Sequence, residues 1–384
     1  MDPRHAPHAQ QQPTGNPLPM KHVFIAPRRY IQGRGILAEI GSLLRPLGQK
    51  PLFLWDSRVK SIIAPLVQGE TFLDVEFRGQ CTRAEAERVA ALAKQNGADI
   101  IVAFGGGKTL DTGKAAAAFS GAKSVTVPTI ASNDSPTSSY TVWYDNAGNC
   151  LGFESWGVNP DLVLVDTQII ANAPVRTLVA GMGDALATWF EADACRKTRA
   201  LNLAGSGGTA TMASLAIARL CYDTLMQHGI EAKRAVEQHL VTPAVEKIVE
   251  ANVLLSGLGF ESCGCASAHM IANCFPSFPE CHGLMHGEEV GFGLLAQLCL
   301  DEDTDIAELY RVVDFEIAIG LPVTFAELGL AGVPRDRLQK IGDICAAKGS
   351  LCENHPFPVT SDSLVDALYA ADALGRERKA KARG

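Results

Sequence analysis

One carboxylate and two imidazoles in this chain could work as a set. Asp184 sits in Gly181-Met182-Gly183-Asp184-Ala185-Leu186-Ala187-Thr188-Trp189, among small and apolar neighbours, where an acid needs a partner. His269 lies in Ala268-His269-Met270-Ile271 and His286 in Leu284-Met285-His286-Gly287-Glu288. Together they offer three protein ligands to a divalent cation and leave a coordination position open, as a catalytic metal requires. Taken one at a time, each histidine also reads as a satisfied core residue, and both readings stand at this point.

A second chemistry is written into residues 104–114, FGGGKTLDTGK, directly after the apolar run Ile100 to Phe104. A strand there empties into a loop where Gly105, Gly106 and Gly107 let backbone N–H groups approach an anion, and a helix expected to start near Thr109 adds its positive end. The ligand is a nucleotide, but neither common fingerprint fits. A P-loop needs glycine at Val102, and GxGxxG or GxGxxA needs Gly or Ala at Leu110. Gly33-Arg34-Gly35-Ile36-Leu37-Ala38 does match GxGxxA, yet Pro27-Arg28-Arg29-Tyr30 before it is no buried strand, so it reads as a turn opening a helix.

Two further segments sit where ligands bind in open α/β sheets. Asp56 ends the strand Pro51 to Trp55, where a carboxylate can hold an adenosine ribose and repel a 2′-phosphate, favouring NAD over NADP; it reads equally as a helix N-cap ahead of Arg58. Thr129-Ile130-Ala131-Ser132-Asn133-Asp134-Ser135-Pro136-Thr137-Ser138 follows a strand at Val125 and is dense in hydroxyls around one acid. Such residues build turns, but beside a glycine loop they also suit ligand contact.

The elements that must position these groups follow from periodicity. Apolar runs at Leu52–Trp55, Phe72–Phe77, Ile100–Phe104 and Val125–Val127 alternate with helical stretches, one carrying a capping-box pattern of Thr82 and Glu85. Tyr140 to Phe153 reads as a hairpin around Asp145-Asn146-Ala147-Gly148, and Leu162 to Val165 as a further strand. From about residue 175 the pattern turns to long helical periods. The expected organisation is a flexible arm over 1–20, an α/β domain over 21–174 and an all-helical domain over 175–384, with the cleft between the two domains as the active site.

Bulk properties narrow the partners. The 384 residues are 47% hydrophobic with net charge −8, which argues against a nucleic-acid or anionic-membrane surface, since both need clustered Lys and Arg. No apolar stretch reaches transmembrane length and no signal-peptide core is evident, so a soluble cytoplasmic protein is expected. Eleven cysteines spread over a long chain suggest reduced thiols. Cys263, Cys265, Cys274 and Cys281 lack the paired CxxC knuckles of a structural zinc site.

At these residues the chain resembles the iron-activated, metal-dependent alcohol dehydrogenase family. The resemblance rests on GGGKTLDTGK, TIASNDSPTS, NPDLVLVDTQII, GMGDALATWFEA, the His269 to His286 segment ending HGEEVGFG, and YIQGRG near the start. It implies a Rossmann-like NAD-binding α/β domain followed by an all-α metal-binding domain, the dehydroquinate synthase-like fold. It further implies Asp184, His269 and His286 as ligands to one divalent metal per chain (Zn²⁺ ahead of Fe²⁺) and Asp134 in contact with substrate. The implied cofactor contacts fall on Asp56, Gly105, Gly106, Gly107, Lys108, Thr109, Thr129, Ile130, Ala131, Ser132, Ser138, Tyr140 and Tyr144. The implied reaction is oxidation of glycerol to dihydroxyacetone with hydride transfer to NAD, in a homo-oligomer of dimeric or octameric form. Relatives often carry histidine at Ala272 and alanine at Gly113, and His282 falls on a family histidine position, as a relay group or a helix cap. Glycerol-1-phosphate dehydrogenase and dehydroquinate synthase share the fold but take anionic substrates. No Lys or Arg occurs between Ser256 and Val290 or between Thr129 and Gly148, so a neutral polyol is expected. A P-loop NTPase is disfavoured by Val102.

Overall fold

Hydrophobic periodicity and the structure agree on the main plan. The computed structural model describes residues 21–67 and 71–383; the expected arm at 1–20 lies outside the described residues. In the first half, strands β1 (Tyr30–Gly33), β2 (Pro51–Trp55), β3 (Leu73–Glu76), β4 (Ile100–Gly105), β5 (Lys123–Pro128) and β8 (Leu162–Asp166) form one parallel sheet in the order β1-β8-β5-β4-β2-β3. Between β5 and β8 the chain makes an antiparallel hairpin, β6 (Tyr140–Tyr144) and β7 (Cys150–Ser155).

Both faces of the sheet are covered. Phe53, Trp55, Val102 and Phe104 face one layer, packing with Leu37, Ile40 and Ile63 from helices α1 (Ile40–Leu44) and α2 (Ser57–Ile63) and the turn before them. Leu52, Leu54, Ile101 and Ala103 face helices α3 (Arg83–Asn96) and α4 (Gly107–Ser120). Strands buried on both sides read as unbroken apolar runs, which is why they were legible. Gly113 on α4 has a local cause: a β-carbon there would come within 2.5 Å of Ala103 Cβ. An alanine at this position would press on Ala103 and push α4 off this sheet.

Strand order also fixes where a ligand can enter. From β2 the chain moves outward to β3, then crosses back to β4 and continues to β5 and β8. The direction reverses between β2 and β4, and the carboxyl ends of these two strands carry Asp56 and Gly105–Gly107. Open α/β sheets bind ligands in the crevice at such a reversal.

Two local expectations are corrected, and the reading of residues 33–38 as a turn opening a helix holds. Tyr30–Gly33 is an edge strand paired with β8, because its backbone finds a ladder partner although its side chains are only half buried. The following turn is not a phosphate loop: the Asp166 carboxylate already accepts from the Gly35 and Leu37 amides at 3.0 and 3.2 Å. Thr82 caps α3 by accepting from the Glu85 amide, but the Glu85 carboxylate turns to Arg88 and the Arg78 amide, so the capping box is half made.

The second half is helical: α5 (Thr167–Asn172), α6 (Val175–Thr198), α7 (Met212–Val236), α8 (Pro243–Glu250), α9 (Ser256–Cys263), α10 (Ser267–Ala272), α11 (His286–Leu300), α12 (Ile306–Ile319), α13 (Arg335–Cys345) and α14 (Ser361–Arg383). A π-helical turn, Ala251–Leu255, joins α8 to α9. None of the described helices is long and apolar enough to cross a membrane.

Inside this helical half, Glu316 on α12 is fully buried and neither carboxylate oxygen meets a donor among the described residues. Burial holds its carboxyl well above the usual range. A carboxyl with a raised folded pKa contributes stability that is complete below its unfolded value and fades as pH rises toward the folded value. In Glu316→Gln this slope disappears. Denaturant unfolding should show the stability difference shifting in the variant's favour, by about 1 kcal/mol or more, from about pH 5 to about pH 8; a pH-independent difference would refute the assignment.

Candidate active site

Close backbone contact assembles the site. A β-carbon on Gly183 would lie 2.2 Å from the Gly287 carbonyl oxygen, and one on Gly287 would lie 1.7 Å from the Ala180 carbonyl oxygen. Only glycine lets α6 and the start of α11 touch this closely, and each glycine adjoins a site residue, Asp184 or His286. Gly181 does the same against Ala131, whose carbonyl oxygen would be 1.9 Å from its β-carbon, drawing the 129–138 loop onto α6.

The result is convergence of Asp184, His269 and His286. Nε2 of His269 lies 3.3 Å and Nε2 of His286 lies 3.5 Å from Asp184 Oδ1. Two ligand atoms on a tetrahedral ion with bonds of about 2.0–2.1 Å stand about 3.3–3.4 Å apart, so these spacings fit a shared cation. Asp184 Oδ1 is buried and takes no hydrogen bond, while Oδ2 accepts from the Asp134 amide at 3.3 Å. An orphaned carboxylate oxygen facing two imidazole nitrogens is an unmet demand for positive charge. Burial opposes the charged form of Asp184, but His269 and His286 outweigh it and hold its pKa below the ordinary value.

Asp134 sits over this centre and accepts from Ser256 Oγ at 3.2 Å. Burial and the Asp184 carboxylate push its pKa up to about 8. Two acids side by side compete for ionisation, and a cation between them relieves the conflict. Ser256 reaches Asp134 from just past the π turn, while Asn252 within that turn donates to the carbonyls of Ala131 and Leu178, each at 3.0 Å. The extra residue of a π turn thus aims two polar side chains at the site.

Sequence reading missed the group that orients His269. Glu191, two turns along α6 from Asp184, is buried; its Oε2 lies 2.5 Å from His269 Nδ1, while Oε1 accepts from the amides of His269 and Ala266 at 3.0 and 2.8 Å. A carboxylate can only accept, so Nδ1 carries the proton and Nε2 keeps its lone pair for an ion. Burial works against a protonated His269, yet without an ion Glu191 prevails and raises its pKa well above normal, so an ion must displace the Nε2 proton to use that lone pair. The signal was present in GMGDALATWFEA as a second acid seven residues after Asp184. His286 opens α11, where the Glu288 carboxylate accepts from the Met285 amide and pairs bidentately with Arg176 of α6 at 2.6 and 2.7 Å.

Beside the triad lies a cleft of about 750 Å³ lined by Asp56, Lys108, Ser132, Asn133, Met285 and His286 among others. It joins the switch point of the sheet to the triad. A β-carbon on Gly105 would meet Thr109 at 2.7 Å, and β-carbons on Gly106 and Gly107 would press on Ile130 and Asn133 at 3.1 and 3.2 Å, so the loop is tightest at Gly105. Asp56 caps α2 by accepting from the Arg58 amide, the helix-cap reading of the sequence, and its other oxygen pairs with the Arg58 guanidinium. Arg58 contacts lower the Asp56 pKa although burial opposes them. Lys108 Nζ donates to Gln80 Oε1 and lies 4.4 Å from the Tyr144 ring centre.

Other sequence candidates sit behind the cleft wall. Thr129 donates its amide to the Gly105 carbonyl, extending the strand contact. Ser138 is buried and accepts from Lys114, whose Nζ also holds the Ser135 carbonyl and Asp111. Tyr140 spends its hydroxyl on the Leu203 carbonyl at 2.6 Å. His282 is exposed and bonds the Pro276 carbonyl at 3.1 Å, apart from the triad. The expectation of cation-free walls needs correction: Arg58 and Lys108 line the cleft from elements outside the two segments scanned, and Lys114 anchors the 129–138 loop from below. Of the four cysteines weighed for a zinc knuckle, only Cys265 falls in a ligand-like group, with Glu191 and His269.

A nucleotide-sized cleft at the sheet reversal thus runs to a carboxylate–imidazole group whose spacing could hold a metal ion. Residues 27–167 match the iron-containing alcohol dehydrogenase family. Glycerol dehydrogenase of Citrobacter freundii is 43% identical over 93% of this chain and 99% of its own. Glycolaldehyde reductase of Halobacterium salinarum is 41% identical with the same coverages. The crystal structure of glycerol dehydrogenase from Schizosaccharomyces pombe superposes with a TM-score of 0.90 at 32% identity, covering 95% of this chain and 93% of that one. The chain belongs to the iron-containing alcohol dehydrogenase family.

Glu191 gives the site its first test. Glu191→Gln keeps the volume but weakens the acceptor for His269 Nδ1, and zinc affinity measured by competition with a chromophoric chelator should fall about tenfold or more; unchanged affinity would sink the orienting role.

Proposed function

We propose that this enzyme oxidises glycerol to dihydroxyacetone with transfer of hydride to NAD, using one divalent ion, zinc in preference to iron, held by Asp184, His269 and His286. The observation that carries this reading is the ligand-like spacing of the triad at one end of a cleft whose other end is a glycine cradle at the sheet reversal. Residues 21–174 take the cofactor, and residues 175–384 take metal and substrate. When bound, the ion supplies Lewis acidity to an alcohol oxygen and the nicotinamide supplies the hydride acceptor.

The chain's own residues do the positioning. Amides of Gly105–Gly107 at the start of α4 receive the pyrophosphate, with Lys108 as the nearby cation. Asp56 receives the adenosine ribose. Asp134, steadied by Ser256, accepts from a substrate hydroxyl and fixes which carbon faces the cofactor. Around Asp134 the polar groups are acids, hydroxyls and amides, so an anionic substrate would meet carboxylates, whereas a polyol meets acceptors for its hydroxyls. The resemblance to glycolaldehyde reductase supports a second reading at the same site, reduction of a small hydroxyaldehyde.

A chelator-treated, metal-free preparation should lose glycerol-dependent NAD reduction and regain it with added Zn²⁺. The restored enzyme should turn over glycerol with higher kcat/KM than glycerol 1-phosphate or 1,2-propanediol. Full activity without metal, or preference for the phosphate, would overturn the assignment. NAD should be preferred to NADP, and Asp56→Ser, which frees Arg58 to meet a 2′-phosphate, should cut that preference by about tenfold, about 1.4 kcal/mol. An unaltered ratio would remove Asp56 from the ribose site.

A further inference from the structure

Outside the cleft, the densest group of reactive side chains is a set of three buried thiols. Cys345 ends α13, Cys352 lies in the 3₁₀ turn Leu351–Asn354, and Cys274 follows α10. None is more than 4% exposed, and all are reduced. The neighbouring Cys274 and Cys352 thiols, with burial, push the Cys345 pKa up. Cys345 and Cys352 also line a separate cavity of about 330 Å³ together with Ser350, Glu353, Phe357 and Pro358. One hydroxyl joins their backbones: Ser350 Oγ donates to the Cys345 carbonyl at 2.5 Å and accepts from the Cys352 amide at 3.2 Å.

The same 3₁₀ turn holds the segment that carries His269. Asn354 donates to the Cys265 carbonyl at 2.7 Å and takes the Thr198 hydroxyl on its own carbonyl at 3.0 Å. His355 Nε2 lies 2.6 Å from Ser267 Oγ at the first residue of α10. Two residues on, His269 presents Nε2 to Asp184. A displacement of Cys352 is therefore transmitted to the start of α10 through Asn354 and His355.

We propose that Cys345 and Cys352 form a modification site at which a peroxide closes a reversible disulfide, and that closure loosens the hold of His269 on its metal. The second clause rests on the reading of His269 as a ligand. The cavity admits a molecule the size of hydrogen peroxide to Cys352. Its sulfur attacks one peroxide oxygen, the O–O bond breaks, and a sulfenic acid and one water result. The Cys345 sulfur then attacks the sulfenic sulfur, and the S–O bond breaks. The hydroxyl leaves as a second water, carrying the Cys345 proton. Two electrons pass from the two sulfurs to the peroxide. The neighbouring thiols and burial keep Cys345 protonated at rest, so its proton must leave as its sulfur attacks. Closure fixes the two sulfurs about 2.05 Å apart, so the turn that carries Asn354 and His355 must follow.

The zinc-loaded enzyme is treated with excess hydrogen peroxide, quenched, and digested without reduction for mass spectrometry. The expected result is a Cys345–Cys352 linked peptide, an approximately tenfold weaker zinc affinity, and recovery of both thiols and affinity with dithiothreitol. Cys345→Ala and Cys352→Ala should each abolish the linked peptide and the loss of affinity; thermal melting establishes which variants fold, and either one suffices. Oxidation confined to the exposed Cys150, or a link to Cys274 in place of Cys352, overturns the proposal. A Cys345–Cys352 link with unchanged zinc affinity overturns the coupling. His269→Ala separates the two readings: retention of zinc by that variant defeats the ligand assignment while the peptide map still tests the disulfide.

Discussion

Backbone contact between segments distant in sequence is the constraint on which the rest depends. Gly181 and Gly183 of α6 press on the Ala131 and Gly287 carbonyls, and Gly287 presses back on Ala180, with no room for a single β-carbon. Asp184 can share space with His286 only because both helices present bare backbone beside them. The same contact carries the 129–138 loop to α6, so Asp134 reaches Asp184 through its own amide. Interiors are close-packed, so a shift of one methyl group's width would separate ligand atoms that now stand 3.3 and 3.5 Å apart.

Around that contact the polar groups form concentric dependence. Asp184 and the two imidazoles meet at the centre; Glu191, Ser256 and Asn252 fix the centre's partners; Arg176 with Glu288, and Asn354 with His355, fix the helices that carry them. Glu191 spends both carboxylate oxygens on His269 and Ala266, whereas Asn252 Oδ1 and His355 Nδ1 have no partner among the described residues, and in the Asp184–Asp134–Glu191 set of acids the buried oxygen left unpaired is Asp184 Oδ1. A folded chain tolerates such an orphan where a cation completes it. The strain is located at the position where chemistry needs a charge.

The sheet and the helices were legible because both obey short-range rules. Strands buried on two faces read as apolar runs, α3 announced itself through Thr82, and the triad's residue types named its chemistry before any geometry was known. What sequence hid was non-local. Glu191 looked like any helical acid until the fold placed it against His269 Nδ1. Lys108 and Arg58 escaped a scan of two loops because the cleft draws walls from β2, α2 and α4 as well. The π turn at Ala251–Leu255 leaves no residue signature, yet it sets where Asn252 and Ser256 point. Ser138 and Tyr140 show the converse: hydroxyls in a ligand-rich stretch whose partners turn out to be Lys114 and the Leu203 carbonyl.

Charge along the cleft is graded, and the gradient constrains what can bind in which direction. Arg58 and Lys108 stand at the end formed by the sheet, and Asp134 and Asp184 at the end formed by the helices. A dinucleotide lying with its phosphates over the glycine loop places negative charge near the cations and its uncharged ring toward the acids. A metal at the triad then sets its two charges against the Asp184 and Asp134 carboxyls, with Glu191 paired to His269 behind them. Acids facing the ion weaken its attraction for a phosphate, and hydroxyl groups are the ligands that such an acceptor-rich pocket discriminates best. On the proposed reading, discrimination among substrates rests on the acids around the ion, Asp134 above all, and not on the metal-ligand set alone.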